Sequence, residues 1–334
     1  MTVRIEDVAL HAGVSTATVS RALRGLSHVA EPTRLKVVEA AKSLDYVVSP
    51  SASSLASGRT QMVGVVVPYV SRWFFGQVIA GVEGALRTAG FDMLLYSVGT
   101  EESRRRFFND MPIRRRVDAL LVLTLPLAYQ EVEALRFLRM PTALVGAAVR
   151  GFSSVGIDDV AGGTSATRHL IALGHERIAM ISGGMTDHGH FTAPQDRSRG
   201  YRFALASAGL TIDPDLDVDG DFTREGGERA MSQLLSLQAP PTAVFAQSDE
   251  MAYGALRALR RAGLRCPEDV SVVGFDDHEM ADFLDLTTIA QPVHAQGAAA
   301  AAQIIAALGG ETDLVEQLLP THIVIRGTTA PFSG

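Results

Sequence analysis

The chain has few residues of the kinds that mark secreted, membrane-bound or enzymatic proteins. Its single cysteine, Cys266, cannot form an internal disulfide. No apolar run reaches the roughly 18 residues that would span a bilayer. The opening run MTVRIEDVALHAGVS has acidic residues where a signal peptide needs a continuous apolar stretch. We therefore expect a cytoplasmic protein without a membrane partner.

Common catalytic motifs are also missing. The sequence contains no G-x-S-x-G, Walker loop, G-x-G-x-x-G or H-E-x-x-H pattern. His188 and His190 lie two residues apart without a nearby cysteine or glutamate, so we interpret them as part of a polar loop rather than a metal site. We expect no enzymatic activity, no cofactor and no metal.

Lysine is scarce, and charge is distributed unevenly. The only two lysines, Lys36 and Lys42, lie within the first 60 residues. That segment has seven basic and five acidic residues, a net charge of +2, which leaves −9 for the rest of a chain whose total is −7. This pattern favours a small cationic module attached to an acidic body.

Length and composition indicate several folded units. The chain has 334 residues, of which 47% are apolar and 20% are charged. These values are typical of a globular protein with a sizeable core and two or three compact units.

The first 45 residues contain three short helical patterns. Residues 5–12 place apolar side chains on one face, and Gly13 permits a tight turn after them. Ser15 is a suitable N-cap for a second helix over residues 16–23. Pro32 favours the start of a third helix. Its expected apolar positions are Leu35, Val37, Val38, Ala41 and Leu44.

Two helices separated by a glycine-containing turn are the arrangement of a helix-turn-helix, although any three-helix bundle with a tight turn has the same spacing. In a helix-turn-helix, the second helix enters the major groove. We therefore expect its outward residues Thr16, Ala17, Ser20 and Arg21 to contact DNA. Arg21 can reach a phosphate or a guanine edge, and the small residues can read groove shape and thymine methyl groups.

About the first 60 residues resemble the DNA-binding segment of the LacI/GalR repressor family. The resemblance implies a helix-turn-helix domain over residues 1–48, with His28 as a further DNA contact and a palindromic operator as the partner. Arg24 departs from the family, which often has asparagine there. The matching runs are Asp7-Val8-Ala9, Ala12-Gly13-Val14-Ser15, Thr18-Val19-Ser20-Arg21-Ala22-Leu23, His28-Val29 and Leu44-Asp45-Tyr46.

A stretch rich in serine, alanine, glycine and proline follows and is typical of a linker. Residues around Pro50 and Leu55 could also form a short helix, which would be marginal alone because helix nucleation is costly. The resemblance implies that residues 49–60 are a hinge whose Leu55 wedges between base pairs in the minor groove. The alternative is that Leu55 packs against the third helix.

Beyond the hinge, short apolar runs alternate with amphipathic stretches, which predicts an α/β fold with parallel sheets. About ten such units favour two lobes over one sheet. Ligands of such sheets bind outside the carboxyl ends of the strands, so we expect a cleft shared by both lobes.

The family resemblance continues through this body and implies a two-lobed core like that of periplasmic sugar-binding proteins. It places the first lobe at about residues 61–160 and 292–320 and the second at about 161–291 and 321–334. The matching runs are residues 64–68, 173–179, 197–201, 248–254, 273–277 and 286–292.

Polar and aromatic residues at strand ends are the candidates for binding a small molecule. Asp276 directly follows an apolar strand and can accept two hydroxyl hydrogen bonds, while Arg197 offers a forked donor. The resemblance implies that Arg197, Ser248 and Asp276 contact the effector. The family often has asparagine at the Ser248 position, so serine there would leave one hydrogen bond to the effector either absent or bridged by water. Gln291 and the Phe74–Phe75 pair are expected to line the cleft from the other lobe. A structural ion pair or a solvated loop is the alternative for Asp276 and Arg197.

Together these features predict a transcriptional repressor controlled by a small molecule. The resemblance favours a sugar or sugar derivative, with a nucleobase or nucleoside as the alternative. It leaves open whether the ligand releases or promotes DNA binding. We expect a homodimer, and a higher oligomer stays open. A solute-binding protein without DNA activity would lack the helix-turn-helix.

Overall fold

The structure, a computed structural model, describes residues 3–23, 28–46, 58–184 and 192–333. The chain divides into two compact units, Met1–Gln61 and Met62–Gly334. The predicted class, a helical N-terminal unit followed by a parallel α/β core, is confirmed.

The first unit contains three helices. They are α1 (Ile5–Ala12), α2 (Thr16–Leu23) and α3 (Glu31–Ser43). Gly13 ends α1 in the left-handed conformation, with φ +66°, that glycine adopts without strain. The core of this unit consists of small and branched apolar side chains from all three helices and from the turn before α3: Val8, Ala9, Ala12, Val19, Ala22, Val29, Val37, Ala40 and Ala41.

The prediction for the apolar face of α3 is partly wrong. Leu35 and Val38 are 61% and 47% exposed, whereas Val37, Ala40 and Ala41 are buried. Helix α3 packs against α1 and α2 through Val37, Ala40 and Ala41, so its buried stripe is narrower than its apolar composition suggests.

The first lobe of the second unit has a six-stranded sheet, entirely parallel, in the order β11-β5-β4-β3-β1-β2. Its strands are β1 (Met62–Val67), β2 (Asp92–Ser97), β3 (Ala119–Leu123), β4 (Thr142–Val145), β5 (Ser153–Ile157) and β11 (Glu316–Leu319). Its helices are α4 (Trp73–Thr88), α5 (Glu101–Asp110), α6 (Tyr129–Phe137) and α12 (Val293–Leu308).

The second lobe has its own six-stranded sheet in the order β12-β10-β9-β8-β6-β7, in which only the edge strand β12 is antiparallel. The strands are β6 (Ile178–Ser182), β7 (Asp217–Asp219), β8 (Ala243–Ala246), β9 (Ser271–Asp276), β10 (Thr287–Ala290) and β12 (His322–Val324). The helices are α7 (Asp159–Ala172), α8 (Ala193–Ser207), α9 (Arg224–Leu235), α10 (Asp249–Arg261) and α11 (Glu279–Phe283), with a 3₁₀ turn at Pro214–Leu216.

The chain passes between the two sheets three times: from β5 into α7, from β10 into α12, and from β11 into β12. Each lobe is therefore built from separate stretches of sequence. Because all strands but β12 are parallel within each sheet, their carboxyl ends share one edge, where ligands bind in folds of this kind.

Close helix packing fixes the position of α8 in the second lobe. A Cβ atom on Gly163 of α7 would lie 2.4 Å from the carbonyl oxygen of Arg197 in α8. The glycine thus lets the two helices approach at the level of Arg197.

His175 joins three parts of the second lobe. Its Nδ1 lies 3.0 Å from the Thr242 hydroxyl, and its Nε2 lies 3.1 Å from both the Ser271 hydroxyl and the Ala330 carbonyl oxygen. Burial lowers the pKa of His175, and the bond to Ala330 opposes this only partly. The neutral ring is therefore the form that holds the C-terminal segment to the sheet.

We predict that His175 makes the core less stable in mild acid. Because the pKa of His175 is lowered in the folded state, the unfolded chain binds a proton more readily than the folded chain below about pH 6.5. The free energy of unfolding therefore decreases as the pH is lowered through this range. His175→Gln should cost about 1–3 kcal/mol at pH 7.5, and thermal unfolding should show a smaller further loss at pH 5.5 than the wild type shows. An equal loss on acidification in both proteins would contradict this role.

Candidate functional site

The second helix of the first unit presents the predicted DNA-contacting residues to solvent. Thr16, Ala17 and Arg21 are exposed, and Ser20 is half-buried, because Val19 and Ala22 face the core. These four residues therefore lie on one side of the helix, the side that faces away from the core.

The N-terminus of this helix is fixed by Ser15, whose Oγ accepts a hydrogen bond from the Thr18 amide at 3.2 Å. His28 is exposed in the turn before α3. Arg24 and Leu55, the departure from the family and the expected wedge, lie outside the described residues, as do His188 and His190.

A cavity of about 620 Å³ lies between the two lobes of the second unit. The carboxyl ends of strands from both sheets line it. All six residues that the sequence predicts for effector binding lie in its wall: Phe74, Phe75, Arg197, Ser248, Asp276 and Gln291.

Asp276 ends β9 in an unusual environment. Its backbone has φ +126° and the next residue, Asp277, has φ +56°, so the turn after the strand is strained. The carboxylate is buried and accepts a 2.6 Å hydrogen bond from Nε2 of Gln291. Burial raises the pKa of Asp276 to about 7, against the opposing effects of Arg197 and Gln291. The group can therefore exchange a proton near neutral pH.

Asp249 holds the same turn from the start of α10. Its carboxylate accepts hydrogen bonds from the His278 amide at 2.8 Å and the Thr288 hydroxyl at 2.7 Å. Burial, and then the charge of Asp276, raise the pKa of Asp249 well above its usual range. Asp249 thus positions the strained turn that carries Asp276.

Arg197 is buried and already engaged, which limits the forked donor expected from the sequence. Its Nε donates to Asp159 at 2.7 Å and its Nη1 to the Gln247 carbonyl at 2.5 Å. The guanidinium carbon lies 3.6 Å from the centre of the Phe275 ring. The pKa of Asp159 is raised by burial, which outweighs the attraction of Arg197. Arg197 therefore forms a structural ion pair and also lines the cavity.

Ser248 and Gln291 also have structural partners. The Ser248 hydroxyl caps α10 by accepting from the Met251 amide at 3.3 Å. Gln291 follows β10 of the second lobe and accepts a 2.9 Å hydrogen bond from Gln296. The expectation that Gln291 faces Asp276 from the other lobe is wrong, because residues 287–290 pair with β9 and bring Gln291 beside Asp276.

The first lobe contributes aromatic rings. Phe74 and Phe75 are in the first turn of α4, with ring centres 5.4 Å apart in an edge-to-face arrangement. Phe75 is buried and also meets Tyr69 edge-to-face at 6.2 Å. These rings give the polar wall of the second lobe an apolar counterpart across the cavity.

Sequence reasoning missed several residues of the wall. Phe222 follows the short strand β7, and a Cβ on Gly183 would lie only 2.0 Å from its ring, so the ring packs directly on the backbone at Gly183. Asp221 and Phe222 both have positive φ, +52° and +48°. The glycine pair 183–184 after β6 was the one available signal for a close approach at this point.

Thr124, at the end of β3, is a second missed residue. It is 7% exposed, has φ +47°, and its hydroxyl has no hydrogen-bond partner among the described residues. A buried hydroxyl left unpaired costs free energy unless a ligand or water completes it. Its position in the cavity wall fits a ligand contact from the first lobe.

The cavity wall is strongly acidic within the described part of the chain. Three arginines line it, and two of these, Arg104 and Arg197, are ion-paired with Glu131 and Asp159. The carboxylates of the wall number eight: Glu101, Asp159, Asp196, Asp219, Asp221, Glu250, Asp276 and Glu316. This surplus of negative charge disfavours an anionic ligand.

Metal-site and membrane-span features are both missing from the described residues. Among them, no group of three or more His, Cys, Asp or Glu side chains could hold a metal ion. Within the same ranges, no helix is both long and apolar enough to cross a membrane.

Each of the two units matches a known family of protein domains. Residues 4–49 match the family model described as bacterial regulatory proteins, lacI family, and residues 167–329 match a periplasmic binding protein-like domain. The chain is 35% identical to the HTH-type transcriptional repressor CytR of Escherichia coli K12 over 97% of this chain and 96% of that protein. It is 37% identical to the E. coli ribose operon repressor over 86% of this chain and 88% of that protein.

Solved structures agree. The lac repressor dimer bound to operator and the anti-inducer ONPF has a TM-score of 0.87 at 28% identity, covering 99% of this chain and 100% of that chain. The complex of the transcriptional regulator CelR with cellobiose has a TM-score of 0.74 at 34% identity, covering 98% and 99%.

We predict that replacing the buried Asp276 stabilises the protein in mild base. The pKa of Asp276 is raised in the folded state, so its favourable contribution is present at low pH and is lost as pH rises through about 7. Asp276→Asn should raise the unfolding temperature by a few degrees at pH 8 and by less at pH 5.5. Asp221→Asn removes an exposed carboxylate from the same cavity and is the control. A gain for Asp276→Asn that is the same at both pH values would contradict the buried-carboxylate interpretation.

Proposed function

The chain belongs to the LacI family of bacterial regulatory proteins and is a DNA-binding transcriptional regulator, and from this premise we propose the roles of its sites. Thr16, Ala17, Ser20, Arg21 and His28 contact a palindromic operator, as two helices of a homodimer in successive major grooves. The expected wedge Leu55 acts in the minor groove. The protein works in the cytoplasm, where its DNA is.

We propose that the cavity between the lobes binds the effector. The observation that carries this is the buried polar wall formed by Asp276, Gln291 and Arg197 opposite the rings of Phe74 and Phe75. Carboxylate and amide oxygens suit vicinal hydroxyl groups, and apolar rings suit the face of a sugar. A volume of about 620 Å³ is in the usual range for small-molecule sites.

The charge of the cavity narrows the chemistry of the effector. With eight carboxylates against three arginines, the described wall favours a neutral polyol over a sugar phosphate or a carboxylate. A neutral sugar is consistent with the names of the ribose operon repressor and the CelR–cellobiose complex. A nucleoside is the second candidate, because aromatic rings also stack on bases.

The effector acts through linkage. A ligand that touches both lobes stabilises the arrangement of lobes that it fits, and it changes DNA affinity only if that arrangement also differs in its affinity for the operator. Thr124 and the Phe74–Phe75 pair from the first lobe, and Asp276 from the second, give such a ligand contacts on both sides.

The test is a gel-shift or anisotropy assay with the upstream region of the chain's own gene. Arg21→Ala should weaken operator binding about 5–150-fold, because a base or phosphate contact is worth about 1–3 kcal/mol. Arg168→Ala, an exposed arginine of the second lobe, is the matched control and should bind like the wild type.

The same assay identifies the effector class. Neutral sugars, nucleosides and sugar phosphates are added in turn, and a thermal-shift screen runs in parallel. We expect a neutral sugar to change DNA affinity and its phosphate ester to have no effect. No protein-dependent shift under any of these conditions would contradict the proposed function, and a response only to phosphorylated ligands would contradict the proposed effector class.

A further inference from the structure

The amino edge of the first-lobe sheet carries a group of exposed arginines. Because β1, β3, β4 and β5 are parallel, they all begin at this edge. The residues just before three of these strands include Arg114, Arg115, Arg116, Arg139 and Arg150, which we call the arginine edge. All five are exposed.

The local structure holds the first three arginines outward. Ile113 and Val117 are buried in the core on either side of them, so the turn between is pinned at both ends. Arg115 has φ +60° in this turn. An exposed turn of three successive arginines with strained backbone is thus fixed by the packing of its neighbours.

Contacts connect the rest of the arginine edge. The guanidinium of Arg114 lies 5.6 Å from the centre of the Phe137 ring, at the end of α6. Arg139 follows that helix with φ +50°. Arg136 donates to the Arg150 carbonyl oxygen at 2.7 Å and so joins the turn before β5 to α6.

The arginine edge has a surplus of positive charge, because its five arginines outnumber the carboxylates of Asp92, at the start of β2, and Asp118, before β3. Among the residues that the structure describes, none of its five arginines forms an ion pair, whereas Arg136, which contacts the Arg150 carbonyl, is paired with Glu133. The body as a whole is acidic, since residues 61–334, with the arginine edge included, have a net charge of −9. A concentrated positive group on an acidic body fits a polyanion.

The connection to the DNA-binding unit ends at this same edge. Met62 begins β1, and its carbonyl oxygen accepts a 2.8 Å hydrogen bond from the Asp118 amide, two residues after Arg116. Residues 47–61 connect the DNA-binding unit to this strand. DNA bound by the helix-turn-helix is therefore tethered to the chain that carries the arginine edge, which raises the effective concentration of DNA for this edge.

We propose that the arginine edge binds the phosphate backbone of DNA flanking the operator. The contact is independent of sequence, and it adds to the affinity that the helix-turn-helix provides. An acidic protein is also a polyanion, but it is not tethered to this chain. DNA is the polyanion that the chain itself binds, so we favour DNA as the partner of this edge.

The experiment compares the full chain on two duplexes that contain the same operator, one ending at the operator and one with about 15 random base pairs on each side. Binding is measured between about 50 and 200 mM salt. Each phosphate contact contributes about 0.9 to the slope of log affinity against log salt. We expect the wild type to bind the long duplex at least tenfold more tightly at 100 mM salt, with a slope steeper by about 3–5.

The triple variant Arg114→Gln, Arg115→Gln, Arg116→Gln should lose most of this gain and keep the wild-type affinity for the short duplex. The control variant Arg168→Gln, Arg229→Gln, Arg260→Gln removes three exposed arginines of the second lobe and should keep the gain. Equal wild-type affinity for both duplexes would overturn the proposal, and so would an equal flank-dependent gain in the triple variant. Both results would leave the operator-binding function standing, because the short duplex measures it separately.

Discussion

The buried guanidinium of Arg197 is the contact on which the second-lobe wall of the cleft depends. It lies on the Phe275 ring, pairs with Asp159 and donates to the end of β8, so one side chain fixes α7, α8 and two strands relative to one another. Burying a charge is costly unless it is paired, and the carboxylates of Asp159, Asp249 and Asp276 all have pKa values raised by burial. The charge of Arg197 opposes this rise in pKa at Asp159 and at Asp276. The wall is thus held in its binding geometry before a ligand arrives, at a cost in stability that the rest of the lobe supports.

The first-lobe sheet connects the two functions of the chain. Its carboxyl edge carries Thr124 and borders the cavity, while its amino edge receives the connection from the DNA-binding unit at Met62 and carries the arginine edge. The central strands β1, β3 and β4 are buried and packed on both faces, and we expect such a close-packed core to move as a unit. A ligand that shifts this lobe against the other must therefore move the edge to which the DNA-binding unit is attached. We expect such a shift to change the backbone at the three crossings between the sheets, which join the two lobes.

The sequence predicted the elements that have strong local signals. The N-terminal helices follow from Gly13, Ser15 and the apolar spacing, whereas their assignment as a helix-turn-helix came from the family resemblance. The α/β body follows from buried runs such as residues 62–67. Asp276 and Arg197 were predicted by their positions near strand and helix ends. Phe222 was missed because β7 has three residues, too few to show a pattern. Gln291 was assigned to the wrong lobe because strand pairing, which brings β10 beside β9, is not local in sequence. A structural ion pair was the stated alternative for Arg197, but its partner Asp159 could not be predicted, because the two side chains are 38 residues apart.

We propose that effector binding in the cleft and operator binding by the helix-turn-helix are one coupled equilibrium. Linkage requires the coupling to be reciprocal. The most direct measurement is calorimetric titration of the effector into the full chain with and without saturating operator duplex, alongside operator affinity with and without saturating effector. The account predicts that both affinities change by the same factor, about 5–150-fold. An effector that binds in the cleft with the same affinity whether or not the operator is present would contradict it.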